Sequence, residues 1–172
     1  MSELIEVLSK EEIAKSVTEV GAVISHDYRN GTVAMVGALK GAFIFMADLA
    51  RAITVPVQIG FLGISSYGKS SESSGTATIT KELDLDVAGM DVLVVEDIVD
   101  TGLTLGFIMD YLKSKGARSV KVCAFLNKKE RRSIEVQVDY ACHTIPEGFL
   151  VGYGLDYAED YRHLPGIYHL KM

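Results

Sequence analysis

The stretch Asp91 to Leu105, DVLVVEDIVDTGLTL, decides how the rest of the chain is read. It opens on an apolar run through Val95, the composition of a strand buried on both faces of a parallel sheet. Its character then changes. Glu96 and Asp97 are adjacent acids, Asp100 follows two apolar residues later, and Thr101-Gly102-Leu103-Thr104 leads into a helical pattern from Leu103 to Lys115 that Gly116 closes. In open parallel sheets ligands sit beyond the carboxyl ends of the strands, which is where this acidic loop would fall.

The same alternation extends in both directions. Upstream, Ser9 with Glu12 forms a capping-box pattern before a helix over Lys10 to Tyr28, with Ile13, Val17, Val20 and Ile24 on one face. Asn30-Gly31 marks a turn, Thr32 to Val36 a buried strand, and Gly37 to Gly41 a loop. Ala42 to Ile53 reads as a helix with Phe43, Met46, Ala47 and Ala50 inward, and Val55 to Leu62 as a second strand. The polar run Ser65 to Gly75 has no apolar period and precedes a short alternating strand, Thr76 to Thr80. Downstream come a strand at Val120 to Leu126, the basic run KKERR, a strand near Tyr140 and a Tyr-rich C-terminal segment. Strand and helix in alternation predict a single α/β domain over residues 1–172, built on an open, mostly parallel sheet.

Composition narrows the function. Lys and Arg number 17 against 23 Asp and Glu, a net charge of −6, which argues against a general nucleic-acid binder. The hydrophobic fraction of 48% belongs to a globular domain rather than a disordered chain. Lys40 and Asp48 interrupt the most apolar stretch, Val33 to Ala50, and the acidic N-terminus does not resemble a signal peptide, so a cytoplasmic protein is expected. Cys123 and Cys142 lack metal-ligand spacing and read as reduced thiols; His26, His143, His163 and His169 form no ligand pattern either.

The loop after the acidic strand end offers backbone N–H groups, hydroxyls from Thr101 and Thr104, and a helix N-terminus, all suited to a phosphate. Gly102 lets the backbone approach closely. Three acids beside such a cradle would repel the phosphate unless a divalent cation bridges them or they accept from sugar hydroxyls. A ligand carrying both a sugar diol and phosphates satisfies either arrangement. The plain alternative is a solvated acidic turn that caps a helix.

The run VVEDIVDTGLTL resembles the phosphoribosyl-pyrophosphate signature of the type I phosphoribosyltransferases, and its Glu-Asp opening is similar to their hypoxanthine-guanine branch. Leu39-Lys40-Gly41 resembles the family's pyrophosphate loop, whose peptide at this place is often cis. Ser66-Tyr67-Gly68 opens a segment similar to its mobile catalytic loop. Lys128, the segment FLVGYGLDY from Phe149 to Tyr157, and Arg162 match its purine- and metal-binding end. The resemblance runs from about residue 30 to 170 and departs from the family at Cys142-His143, which replaces a Gly-aromatic pair. It implies a mobile loop near residues 65–75, a base-binding segment from about 127 to 172, and a small hood built from the chain ends.

Residue by residue, the resemblance implies that Glu96 and Asp97 hold the ribose hydroxyls and help organise Mg²⁺, with Asp156 a further metal ligand. Asp100 would exchange the proton of the purine ring nitrogen, and Asp100 to Thr104 would hold the 5′-phosphate, Leu103 through its backbone alone. Leu39, Lys40, Gly41 and Arg162 would meet pyrophosphate, with Ser66 and Tyr67 closing over it. Phe149 would stack on the base, Leu150 would offer backbone contacts, and Lys128 would donate to the exocyclic oxygen of a 6-oxopurine, disfavouring adenine. Without the resemblance, Lys40 reads as a solvated loop residue, Lys128 and its basic neighbours as a solvated patch, Phe149 as core, and Glu159 and Asp160 as solvated acids. The implied reaction is Mg²⁺-dependent transfer of 5-phosphoribosyl from its 1-diphosphate to hypoxanthine or guanine, giving IMP or GMP and pyrophosphate, by a homodimer or homotetramer. A non-catalytic regulator that binds the same sugar diphosphate, a xanthine- or adenine-preferring relative, and a receiver-like acidic pocket are the alternatives. The last leaves the Thr-Gly-Leu-Thr loop without a role.

Overall fold

The computed structural model describes residues 2–66, 77–145 and 147–172. Its elements in chain order are β1 (Glu3–Leu8), α1 (Lys10–Asp27), β2 (Val33–Leu39), α2 (Phe43–Ala52), β3 (Val57–Ser66), β4 (Ala77–Lys81), β5 (Asp91–Val99), α3 (Leu103–Ser114), β6 (Ser119–Asn127), β7 (Tyr140–Thr144), β8 (Leu150–Val151) and β9 (Ile167–Lys171). The main sheet runs β4-β3-β2-β5-β6-β7, parallel except where β4 returns antiparallel to β3. A second sheet, β1-β9-β8, joins the two ends of the chain, the hood that the resemblance implied.

The central strands are apolar throughout because both their faces are covered. Val33 and Met35 of β2, Leu93 and Val95 of β5, and Cys123 and Phe125 of β6 point to the side where α1 and α2 lie. The intervening residues, Ala34 and Val36, Val92 and Val94, Val122 and Ala124, point to α3 and its Leu105, Ile108 and Leu112. Period-two alternation within an unbroken hydrophobic run thus divides one sheet between two cores.

α1 begins as its capping box dictates: Ser9 Oγ accepts from the Glu12 N–H at 3.1 Å, and Glu12 accepts from the Ser9 N–H at 2.7 Å. Two expectations need correction. β2 continues through Leu39, so most of the expected Gly37–Gly41 loop is strand. The buried face of α2 is Phe45, Met46 and Leu49, whereas Phe43 and Ala47 face out. Ten residues that are apolar nearly all round carry little phase information, and the chain entering α2 from Ala42, itself buried, sets the rotation.

His143 fills the place of the family aromatic. Its ring stands edge-on to Phe125 at 5.6 Å, and its Nε2 lies 3.0 Å from Ser16 Oγ on α1. Burial lowers its pKa, so a neutral imidazole packs this strand against the helix. Cys123 is buried on β6 and Cys142 half-buried on β7, and both are free thiols. No helix among the described residues is long and apolar enough to cross a membrane.

Candidate active site

Three segments meet at the carboxyl edge of the sheet. β5 delivers Glu96 and Asp97 and then the loop Asp100–Thr104; β2 delivers Leu39, Lys40 and Gly41; the segment after β8 returns Asp156, Glu159 and Arg162.

The loop after β5 is shaped by Gly102, which takes φ +88° at the N-terminus of α3. A side chain there would also press on the Ile134 carbonyl and on Arg132. No side chain caps this helix from Gly102, and its start borders a small pocket of about 100 Å³ lined by Glu96, Asp100, Thr101, Gly102 and Thr104. Thr101 Oγ1 accepts weakly from the Leu103 N–H at 3.3 Å, and Leu103 presents only backbone there. Asp100 Oδ1 is buried and has no hydrogen-bond partner among the described residues, while Oδ2 lies 3.7 Å from Arg131. An orphan carboxylate oxygen at the pocket wall is a group waiting for a donor.

Glu96 is 7% exposed, and burial beside Asp97 pushes its carboxyl well above the usual range. Burial also pushes Asp97 up, to about 6; the Ile98 N–H and Arg162 oppose the shift, and Asp156 adds to it. Asp97 lies against the backbone of Gly41, where any side chain would collide with its carboxylate. That close approach locks the acidic strand end to the Lys40 loop. The Leu39–Lys40 peptide is cis.

Lys40, Ser65, Lys81, Glu159 and Arg162 line a cleft of about 470 Å³. Arg162 donates to the Gly154 carbonyl at 2.7 Å and pairs with Asp156 at 3.4 Å. Across the loop, Lys128 is not a solvated residue. Its side chain is only 12% exposed and donates to the Gly148 carbonyl at 3.2 Å, directly before Phe149. Phe149 is 46% exposed rather than core, with Tyr157 edge-on to it at 5.6 Å, and the backbone of buried Leu150 follows. Tyr67 and the side chain of Ser66 lie outside the described residues, as does most of the Ser-rich run. Among the described residues no three carboxylates or histidines converge as a ready-made metal cage.

The residues Asp91–Leu105 therefore form a strand, an acidic edge and a helix start that borders a pocket. The sequence profile described as "Phosphoribosyl transferase domain" matches residues 5–158. The chain belongs to the phosphoribosyltransferase family. A hypoxanthine-guanine phosphoribosyltransferase of Aquifex aeolicus (strain VF5) is 47% identical over 166 residues, covering 96% of this chain and 93% of its own. The crystal structure of a hypoxanthine-guanine phosphoribosyltransferase from Bacillus anthracis superposes with a TM-score of 0.93 at 36% identity, over 100% of both chains. That of a hypoxanthine phosphoribosyltransferase from Staphylococcus aureus also gives 0.93, at 40% identity over 96% of this chain and 90% of its own. Within the family, this chain sits in the hypoxanthine-guanine branch.

Sequence reasoning missed several residues of this phosphoribosyltransferase site. Glu159 is exposed but not free, because it bridges Lys40 and Arg162. Arg132 is not a solvated cation either: its guanidinium donates to the Asp100 carbonyl at 2.9 Å, to Asn127 Oδ1 at 2.7 Å and to the Lys128 carbonyl at 3.2 Å. Lys81 reaches the cleft from β4, and Tyr157 partners Phe149. Only Tyr157 lies within a motif, at the end of FLVGYGLDY, and nothing there marked it as a partner of Phe149. The one local signal was the density of cations in KKERR.

Proposed function

We propose that the protein transfers the 5-phosphoribosyl group of 5-phosphoribosyl 1-diphosphate to hypoxanthine or guanine, giving IMP or GMP and pyrophosphate. The observation that carries this reading is the buried Asp100 Oδ1, without a partner among the described residues, in the wall of the pocket at the α3 N-terminus. A carboxylate placed there can hold the proton of a purine ring nitrogen while the same loop holds the sugar phosphate.

In this reading the 5′-phosphate accepts from the backbone N–H groups of residues 101–104 and from the Thr101 and Thr104 hydroxyls. Glu96 and Asp97 accept from the ribose hydroxyls, Phe149 takes the purine face, and Lys128 donates to the 6-oxo group. Lys40 and Arg162 meet the diphosphate, and Ser66 with Tyr67 excludes water from the sugar. The bond at the anomeric carbon breaks through an oxocarbenium-like state, as in glycosyl transfer generally. Asp100 takes up the purine proton as the new bond forms. An amino group in place of the 6-oxo group would set donor against donor at Lys128, which disfavours adenine.

Mg²⁺ belongs to the same reading. Burial raises Glu96 and Asp97, Asp97 adds to the effect on Glu96, and Asp156 adds to that on Asp97 beyond what the Ile98 N–H and Arg162 offset. A divalent cation relieves that cost. Mg²⁺ is commonly held by one or two carboxylates with phosphate and water completing its shell, so a three-carboxylate cage is not required. Asp156 on one side and Glu96 with Asp97 on the other would hold it, and when bound it would neutralise charge on the diphosphate. The reading also carries assembly as a homodimer or homotetramer, measurable by light scattering.

The test is a base panel of hypoxanthine, guanine, xanthine, adenine, uracil and orotate with donor and Mg²⁺, following nucleotide formation. IMP and GMP are expected. No nucleotide from either base, or a preference for adenine, would overturn the reading.

A further inference from the structure

We propose that Glu159 is a built-in competitor for the diphosphate subsite, its carboxylate holding the two cations of the cleft until a diphosphate displaces it. The inference rests on the reading of Lys40 and Arg162 given above. Glu159 Oε2 accepts from Lys40 Nζ at 2.8 Å, and Oε1 accepts from Arg162 Nη2 at 3.3 Å. One oxygen per cation is how a small bridging anion would bind, and the two cations come from segments 122 residues apart in sequence.

The backbone holds Glu159 in this place. Tyr157 and Asp160 exchange N–H···O bonds of 3.1 and 2.9 Å around a two-residue turn in which Ala158 has φ +51° and Glu159 φ +72°. Turns with both central residues at positive φ usually carry Asn-Gly, because side chains with a Cβ crowd the backbone there. Here the turn keeps Ala-Glu, and the Glu159 N–H is fixed by Asp156 Oδ2 at 2.9 Å. A merely solvated acid could sit on an unstrained backbone; this one is presented across the cleft to Lys40.

The pair suits displacement. Lys40 and Glu159 side chains are 66% and 63% exposed, so their attraction is screened and modest. A diphosphate carries more charge than one carboxylate and can take both cations, while Glu159 swings into water. The carboxylate then sets a threshold for diphosphate binding and lowers the cost of its departure.

The experiment is calorimetric titration of inorganic pyrophosphate, in Mg²⁺ buffer, into wild type, Glu159→Gln, Glu159→Asn (which tolerates the left-handed turn) and Lys40→Ala. Both Glu159 variants are expected to bind pyrophosphate about three- to fivefold more tightly, the upper part of the range for an exposed ion pair, because Glu159 bridges two cations. In a Lys40→Ala background the gain from Glu159→Gln should fall below about twofold, which a change in turn stability alone would not produce. Unchanged or weaker binding in both Glu159 variants, with Lys40→Ala still impairing wild type, overturns the inference and leaves the site reading intact. Absence of pyrophosphate binding to wild type overturns both.

Discussion

Arg132→Met tests whether the basic loop after β6 holds the anion cradle in shape. The substitution keeps the aliphatic stem, which lies against Gly102, and removes the guanidinium fork. Three hydrogen bonds within 3.2 Å are lost: those to the Asp100 carbonyl, to Asn127 Oδ1 and to the Lys128 carbonyl. Bonds to charged donors are worth up to about 3 kcal/mol each, but this site is half-buried and water can refill part of it, so about 1 kcal/mol apiece is reasonable. The sum, about 3 kcal/mol, corresponds to a fall in Tm of roughly 6–12 °C for a domain of this size. Arg132→Lys should recover less than half, because an ammonium cannot reproduce the planar fork. Kinetics should move as well, since Asp100 is tethered through its carbonyl: kcat is expected to fall about tenfold, less than the roughly 10²-fold that a full 1 Å misplacement costs, because the Asp100 side chain itself is retained. Thermal melts and steady-state rates measure both. A Tm within about 2 °C of wild type with unchanged kcat would refute the clamp.

Asp100→Asn preserves shape and removes the proposed proton acceptor; kcat should fall roughly 10²- to 10⁴-fold with substrate KM values within a few-fold, measured by steady-state kinetics. Lys128→Ala should lower kcat/KM for hypoxanthine and guanine about 10- to 100-fold while the KM for the donor changes little, because the bond proposed for Lys128 is to the base. The acids at the end of β5 predict a pH effect of definite sign. Native Asp97 keeps its proton up to about pH 6, well above an unfolded carboxyl, so the native state binds more protons in that window and its stability falls as pH rises from about 4 through 6. Asp97→Asn should flatten this component of a Tm-against-pH curve, and Mg²⁺ should raise Tm more at pH 7 than at pH 5; parallel curves for the two proteins would count against it.

How much of this was legible depended on whether the signal was local. The strand–loop–helix unit at Asp91–Ser114 could be read because burial on both faces, the acidic edge and the helix start each leave a mark within a few residues. The capping box of α1 could be read for the same reason. β1 could not, since its partner β9 lies at the other end of the chain and four of its six residues are exposed. The rotation of α2 failed because nearly every position was apolar enough to be inward. Lys40 with Glu159, and Arg132 with Asp100, are contacts made by folding, so no spacing rule finds them. Lys128 is the instructive case: among the cations of KKERR, only its place at the end of a sheet strand distinguished it, and the chain turns it inward to Gly148.

The charges of the free site explain how a chain of net charge −6 can present cations to a polyanion. Each cation expected to meet substrate already has a carboxylate partner: Lys40 has Glu159, Arg162 has Asp156 and Glu159, and Lys128 has the more distant Glu130. Among the described residues Glu96 and Asp97 form no ion pair, and burial holds both toward the neutral form against the opposing pull of Arg162 on Asp97. An entering polyanion must therefore replace carboxylates rather than fill a bare positive pocket. What happens to the displaced acid then matters. Glu159 and Glu130 are 63% and 50% exposed and can turn into water, where screening makes their charge nearly harmless. Asp156 is 31% exposed and has less room to do so. It is the acid whose repulsion would persist, and it is also where a divalent cation beside the diphosphate would remove the most unfavourable charge.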